Sequence, residues 1–160
     1  MEDPTAIYRI LLLLHIAAAV VGFGGVIAHG AYNAKAYRAK AGEASVLFKT
    51  TAAVTDIAHY AIYAVLVLGI LLVSVSSGDI AFSDPWISAS FGLWLILVGV
   101  AHGVVKPALR ALTARADELS PDALLTEDDK AGTLARKLAL GEGITQLLLA
   151  ASLVVMIWQF

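Results

Sequence analysis

The sequence predicts an all-α integral membrane protein: an antiparallel bundle of four transmembrane helices with a cytoplasmic helical hairpin extension. The composition is the first reason, with 59% hydrophobic residues, 15% charged residues and a mean hydropathy of +0.81. Soluble domains contain about 45–50% apolar and about 25% charged residues. The second reason is that four separate apolar stretches reach the length of about 20 residues that a membrane crossing needs.

The four spans account for most of a single domain that covers residues 1–160. All four are apolar around their whole circumference, unlike the one-sided surface helix of a soluble protein. Their predicted limits are Ile7 to Tyr32, Val54 to Ser76, Trp86 to Val105, and Leu138 to Trp158.

The connection between the third and fourth spans predicts the hairpin extension. Residues 106–137 hold six basic and six acidic residues, too polar for lipid. The Ser120-Pro121-Asp122 sequence breaks the segment, and Thr126, followed by three acidic residues, is typical of a capped helix start. Helices three and four are therefore expected to continue beyond the membrane on either side of this break.

The basic residues predict the orientation. Ten of the eleven Lys and Arg residues fall in two connections, four in residues 33–50 and six in residues 106–137. Connections rich in Lys and Arg stay in the cytoplasm. Both termini are then expected outside, and the favoured location is a bacterial inner membrane.

Several classes of function are disfavoured. The chain has no cysteine, which excludes disulfides, iron–sulfur clusters and thiolate metal sites. A net charge of -2 gives no basis for nucleic-acid binding, and no phosphate-binding or nucleotide-binding motif is present. The lipid bilayer is the partner that the composition predicts, and whether the protein is an enzyme stays open.

The candidate functional residues are ionisable side chains within the predicted spans. They are His15, His29, His59, His102, Asp56 and Glu142. Such groups are costly in lipid and are expected to face the bundle interior, where they mark functional sites.

The topology predicts where these side chains meet. A rise of about 1.5 Å per residue places all of them except His15 in the cytoplasmic half of the membrane. Asp56 and His59 are three residues apart, which predicts one shared face of helix two. Five polar groups from four helices are thus expected to converge.

Such a cluster has two chemical interpretations. His59 and His102 lie at matched depth and could ligate haem b from both sides, with His29 or His15 as alternates. The same imidazoles, together with Asp56 and Glu142, form a ligand set for a divalent transition metal such as zinc, iron or manganese. Either interpretation gives a redox or cofactor-handling role.

Interpretations without a cofactor stay open. Asp56, His59 and Glu142 could be protonatable stations in a small permease or a proton or ion pathway. Intramembrane histidines also often only bond across helices, which would fit a structural subunit of a larger membrane complex.

The glycines have a further interpretation. Gly99 and Gly103 have the GxxxG spacing that allows helices to approach closely. This spacing favours packing within the bundle, and a homo-oligomer formed through glycine-rich helix faces is the alternative.

Three short motifs carry a family resemblance. They are Leu14-His15-Ile16 with Val20 to Gly25, Asp84-Pro85-Trp86, and Lys106-Pro107-Ala108-Leu109-Arg110. The chain resembles a family of bacterial four-helix integral membrane proteins of unassigned function. More distantly, the first-helix motif is similar to the copper-resistance D proteins and the haem-dependent membrane protoporphyrinogen oxidases. By that resemblance His15 would be a haem ligand, although Gly22 stands where the pattern usually has Trp.

Overall fold

The fold is known from a computed structural model, which describes residues 6–76 and 80–159. The described residues form five α-helices: α1 (Ala6–Tyr37), α2 (Ala41–Val75), α3 (Pro85–Val100), α4 (Lys106–Glu118) and α5 (Asp129–Trp158). A π-helical turn, Ala101–Val105, joins α3 to α4, so these two form one continuous rod. A short 3₁₀ turn, Leu125–Glu127, precedes α5.

The helices pack as an antiparallel bundle, which confirms the predicted fold class. Helix α1 lies along α2, α3 lies against α5, and α4 packs between α2 and α5, while α1 also contacts α5. Within the described residues, four helical stretches are long and apolar enough to cross a membrane: α1, α2, the α3–α4 rod and α5.

The bundle has two ends. The basic end carries the turn at residues 38–40 and the connection at residues 119–128. The terminal end carries residues 6–10, the end of α2 at Val75, the start of α3 at Pro85, and residues 154–159. Large apolar side chains cover the outer surface between these ends; Leu13 and Leu147, for example, are 67% and 72% exposed. On helices long and apolar enough to span a membrane, such a surface indicates contact with lipid.

The first connection is much shorter than the sequence predicts. Helix α1 continues to Tyr37 and α2 begins at Ala41, so residues 33–50, predicted as the connection between the first two spans, are mostly helical. Hydropathy locates only the lipid-buried part of a helix, whereas Ala, Lys and Glu continue a helix into water. All the spanning helices therefore project beyond the apolar zone, and the extension is a four-helix structure rather than a hairpin.

A second core at the basic end holds these projecting helices together. Phe48, Leu112 and Leu125 are its largest fully buried side chains, and small residues such as Ala36 and Ala44 surround them. Ion pairs at the rim tie the same helices together; Lys49 Nζ of α2, for example, lies 2.9 Å from Asp117 Oδ1 of α4. This part resembles the interior of a soluble domain, because apolar side chains there are shielded from water by protein rather than lipid.

The start of α5 differs from the prediction in its capping residue. Asp128, rather than Thr126, is the N-cap, and its Oδ1 accepts a hydrogen bond of 2.7 Å from the backbone N–H of Ala131. Leu125 is fully buried and holds the preceding 3₁₀ turn in place. Packing of one leucine thus shifts the helix start beyond the position that the polar residues suggest.

The glycines divide into two kinds. A Cβ at Gly25 would lie 2.7 Å from Cβ of Ala58, and one at Gly141 would lie 2.9 Å from Cγ2 of Val105. These two positions need glycine for close helix contact. A Cβ at Gly99 or Gly103 would meet no described residue within 4 Å, so the prediction that they pack within the bundle is wrong. Oligomer formation through their open face stays a prediction.

Candidate functional site

A buried carboxylate lies between α1 and α5, toward the basic end. Glu142 is 7% exposed, and its Oε1 accepts a hydrogen bond of 2.7 Å from Nδ2 of Asn33. Nδ1 of His29 lies 3.3 Å from the same oxygen, but the geometry does not make a hydrogen bond. His29 and Asn33 are one helical turn apart on α1, so they present both groups to α5 on one face.

His59 joins this arrangement from α2. His59, His29 and Glu142 line a cavity of about 10 Å³, room for about one water molecule. His29, Asn33, His59 and Glu142 are all buried, and we call them the polar cluster. In the described structure both ring nitrogens of His29, Nδ1 of His59 and Oδ1 of Asn33 are buried without a hydrogen-bond partner. Buried polar atoms normally have partners, so the cluster is equipped to bind water or a small ligand.

His102 lies beside the polar cluster rather than inside it. Its ring centroid is 5.6 Å from that of His59, with the two planes tilted by 36°, and its Nε2 is hydrogen-bonded to the hydroxyl of Tyr63. His102 lies on the outer surface of the bundle. It belongs to the π-helical turn, which precedes Pro107, a residue that cannot donate a helical hydrogen bond. Turns of this kind often occur at functional sites.

Asp56 is outside the polar cluster. Its carboxylate is 60% exposed and lies 2.9 Å from Nζ of Lys106 on α4. The prediction that it shares a buried face with His59 is wrong, because three residues advance a helix by about 300° and leave the two side chains about 60° apart. That angle is sufficient to bury His59 at 4% exposure while Asp56 reaches the surface.

His15 lies at a different level, about 21 Å along α1 from His29. It lines a cavity of about 440 Å³ toward the terminal end, to which α1, α2, α3 and α5 all contribute. We call this the apolar cavity, because leucine, isoleucine and aromatic side chains form most of its wall. Nδ1 of His15 is buried without a hydrogen-bond partner among the described residues.

An apolar cluster separates the two levels. Val26, Ala58, Ile62, Leu97 and Leu149 pack together between the polar cluster and the apolar cavity. Trp94 also joins α3 to α2 here, since its Nε1 donates a hydrogen bond of 3.1 Å to the carbonyl oxygen of Ile62. The bundle therefore offers two separate candidate sites.

Asn33 is a site residue that the sequence patterns do not single out. It is the only asparagine of the chain, and it lies four residues after His29, a spacing that puts both on one helix face. In residues 6–76 and 80–159, no group of three or more His, Asp or Glu side chains has an arrangement that could hold a metal ion.

The comparison with known families agrees with this architecture. Residues 9–159 match a family described as "Predicted integral membrane protein (DUF2269)". The chain belongs to the DUF2269 family. No curated protein and no solved structure matches it. Membership supports the transmembrane assignment of the four apolar stretches and agrees with the predicted family of integral membrane proteins of unassigned function.

Proposed function

We propose that this DUF2269 protein binds a flat apolar cofactor, haem b in the first instance, in the apolar cavity, with His15 as the iron ligand. One observation carries the proposal. A buried imidazole nitrogen without a partner belongs to a residue that lines a cavity of about 440 Å³ within four transmembrane helices. Ligand sites typically have volumes of about 300–1,000 Å³ and a few polar groups in an apolar wall.

The wall of the apolar cavity suits a conjugated ring. Phe23, Trp86, Phe91 and Trp94 contribute aromatic side chains, which favour stacked or edge-on contact with another ring. The first-helix motif supports the same assignment, since its resemblance to haem-dependent membrane proteins gives His15 the role of a ligand.

His15 would have two roles in such a site. A proximal imidazole holds the iron and sets its electronic properties, and haem would supply one-electron transfer. The position of the ring is set by α2, because a Cβ at Gly69 would lie 3.3 Å from Cε1 of His15. Gly69 therefore allows the imidazole to lie against the backbone of α2.

The polar cluster is less suited to haem than its sequence pattern predicts. His59 and His102 have ring centroids 5.6 Å apart, and the cavity beside His59 measures about 10 Å³. A macrocycle between these imidazoles would require the helices to separate. The prediction that His59, His102 and His29 bind haem or a metal thus has less support than the prediction that the alternate ligand, His15, binds haem.

An absorption spectrum of the detergent-purified protein tests the proposal. The protein, produced in cells supplied with a haem precursor or mixed with haemin, is expected to show a Soret band that His15→Ala abolishes. The double variant His59→Ala/His102→Ala is the control and is expected to retain the band. A colourless protein that takes up no haemin would refute the proposal, and loss of the band only in the double variant would move the ligands to the polar cluster.

A proton or ion pathway is the second candidate, and the polar cluster favours it. Glu142, His29, His59 and His102 follow one another from the interior of the bundle to its surface. Chains of such groups at membrane depth serve as proton relays in membrane proteins. The apolar cluster would have to open for passage to the terminal end. Proton flux into liposomes that contain the protein, lost in Glu142→Gln and retained in Glu127→Gln, would support this candidate. Absence of flux in the unaltered protein would exclude it.

A further inference from the structure

A third cavity opens on the side of the bundle between α1 and α5. It has a volume of about 480 Å³ and is lined by residues of α1, α4 and α5. We call it the side pocket. Its floor includes Asn33, Glu142 and Gln146, and its rim at the basic end includes Arg38 and Arg136. The site does not depend on the cofactor proposed for the apolar cavity.

The floor of the side pocket presents hydrogen-bond acceptors without donors. Oε1 of Glu142 is bonded to Asn33, but Oε2 accepts no hydrogen bond from residues 6–76 or 80–159. Oδ1 of Asn33 is likewise buried and without a partner in that part of the chain. Asn33 and Glu142 are 4% and 7% exposed, so this is a built polar site rather than a surface patch.

Gly30 makes the free carboxylate oxygen accessible. A Cβ at this position would lie 3.5 Å from Oε2 of Glu142 and 3.2 Å from Nε2 of Gln146. Glycine is unfavourable within a helix by about 1 kcal/mol relative to alanine. Its presence here leaves space directly over the acceptor floor.

The rim of the side pocket presents cations without partners. Arg38 and Arg136 are exposed, and neither forms an ion pair with the described residues. By contrast, Lys106 and Arg115 are each paired with carboxylates. Arg38 directly follows Tyr37, the last residue of α1, which is four residues or about 6 Å along the helix from Asn33. Arg136 is six residues from Glu142, about 9 Å along α5. The long arginine side chains can cover much of this distance.

We propose that the side pocket binds a phosphoethanolamine group, with its ammonium on the acceptor floor and its phosphate against the two rim arginines. An ammonium has only donors and matches the free oxygens of Glu142 and Asn33. A guanidinium binds phosphate through two parallel hydrogen bonds. The charges of floor and rim thus match a short zwitterion in one orientation.

The position of the side pocket favours a lipid headgroup as the source. The pocket opens laterally between two membrane-spanning helices, and its rim lies where α1 and α5 pass from apolar to charged sequence. A phospholipid could keep its acyl chains in the bilayer while its headgroup enters between α1 and α5. Free phosphoethanolamine has the same chemistry, and the experiment separates these two sources.

Thermal unfolding in detergent provides the test. Short-chain phosphatidylethanolamine is titrated into the purified protein, with short-chain phosphatidylglycerol and free phosphoethanolamine in parallel. We expect saturable stabilisation by phosphatidylethanolamine that phosphatidylglycerol does not reproduce. Stabilisation by free phosphoethanolamine at equal concentration would identify a soluble ligand of the same class. Equal effects of both lipids, or no saturable effect of either phosphoethanolamine compound, would overturn the proposal.

Four variants assign the two halves of the site. Glu142→Gln and the double variant Arg38→Gln/Arg136→Gln are each expected to raise the apparent Kd about tenfold or more, because hydrogen bonds to charged groups contribute about 1.5–3 kcal/mol. Gly30→Ala should weaken the binding of phosphatidylethanolamine, although alanine has a higher helix propensity than glycine. Lys35→Gln/Lys137→Gln removes the same charge from positions outside the pocket and should leave the Kd unchanged. An unchanged Kd in the arginine variant, or equal losses in the lysine control, would overturn the assignment.

The thermal stability of each variant without lipid shows whether it folds. Gly30→Ala keeps every charge of the pocket, so weaker binding in a fully stable Gly30→Ala protein cannot be attributed to unfolding or to net charge. Normal affinity in Gly30→Ala together with normal affinity in Glu142→Gln would overturn the proposal. A Soret band, if present, is expected to be unaffected by any of these variants.

Discussion

Asn33 on α1 donates a hydrogen bond of 2.7 Å from Nδ2 to Oε1 of Glu142 on α5, joining residues 109 positions apart in the chain. The bond is a polar link between the first and last helices. It fixes the carboxylate with one oxygen toward His29 and the other toward the side pocket. The two candidate uses of Glu142, proton transfer and ammonium binding, both depend on this orientation.

Removing the amide is expected to destabilise the bundle. Asn33→Leu leaves the buried carboxylate without its donor and should lower the free energy of unfolding by about 1–3 kcal/mol. Unfolding by SDS in mixed micelles, followed by circular dichroism, provides the measurement. Ala31→Leu, an exposed position on the same helix, is the control and should change stability by less than about 0.5 kcal/mol. Equal effects of the two substitutions would contradict the proposed role of Asn33.

Alanine substitutions at Gly25 and Gly24 are expected to change the stability of the bundle differently, because only Gly25 lies in the close contact between α1 and α2. Gly25→Ala places a Cβ 2.7 Å from that of Ala58 and should destabilise the bundle, whereas Gly24→Ala meets nothing within 4 Å among the described residues. Gly24→Ala should be neutral or stabilising by up to about 1 kcal/mol, from helix propensity. The double variant Gly25→Ala/Ala58→Gly should recover stability. Failure to recover would show that something other than this contact requires Gly25.

The core at the basic end should be as sensitive as that of a soluble protein. Phe48 is completely buried, so Phe48→Ala is expected to cost about 3–5 kcal/mol. Phe82, 51% exposed, provides the matched control, with a change of about 0.5 kcal/mol or less. Similar losses from the two variants, measured by the same SDS titration, would indicate that the second core contributes little.

The N-cap of α5 predicts a dependence of stability on pH. Asp128 is hydrogen-bonded by Arg115 and by the backbone N–H of Ala131, and these bonds lower its pKa to about 2. The ordinary pKa of an aspartate is about 3.9. The unfolded chain therefore binds this proton more readily, so the stabilisation is present above about pH 4 and disappears as the pH falls to about 2.

Asp128→Asn is the variant that isolates this effect. At pH 7 it should be less stable than the unaltered protein, and the difference should shrink toward zero as the pH approaches about 2. Asp129→Asn, the adjacent exposed carboxylate, serves as the control and should show no such change. A difference between Asp128→Asn and the unaltered protein that is constant from pH 7 to pH 2 would contradict the charge-based explanation.

The orientation of the chain is testable with reporter fusions in a bacterial host. The distribution of Lys and Arg predicts that both termini lie outside. Alkaline phosphatase fused after residue 159 should therefore be active, and a fluorescent protein inserted at residues 121–123 should fluoresce. The reverse pattern would invert the topology and place the side pocket at the opposite membrane face.

The limits of the helices illustrate what sequence patterns predict well and poorly. The predicted third span ends at Val105, where the π-helical turn ends and α4 begins. The predicted first connection, by contrast, is mostly helix, because hydropathy detects lipid contact and not the protein contacts that bury Ala36 and Phe48. The cap at Asp128 was displaced from Thr126 by the burial of Leu125.

The site residues also divide into those that the sequence predicts well and those that it predicts poorly. The depth of each polar group followed from helix rise alone, and it correctly brought His29, His59 and Glu142 to one level. Helix rise does not determine rotation, so Asp56 was assigned inward although it reaches Lys106 at the surface. No sequence pattern indicates Asn33, because its importance comes from a partner 109 residues away.

Sequence by itself determined that this chain is a four-helix membrane protein, since apolar stretches of sufficient length are stable only as lipid-spanning helices. It also determined which ionisable groups lie at membrane depth. Only the tertiary structure decided that His15 faces a cavity large enough for a ligand while His59 and His29 enclose room for about one water. The reason is physical: cavity volume depends on how far four helices separate, and that separation is set by contacts such as Gly25 with Ala58.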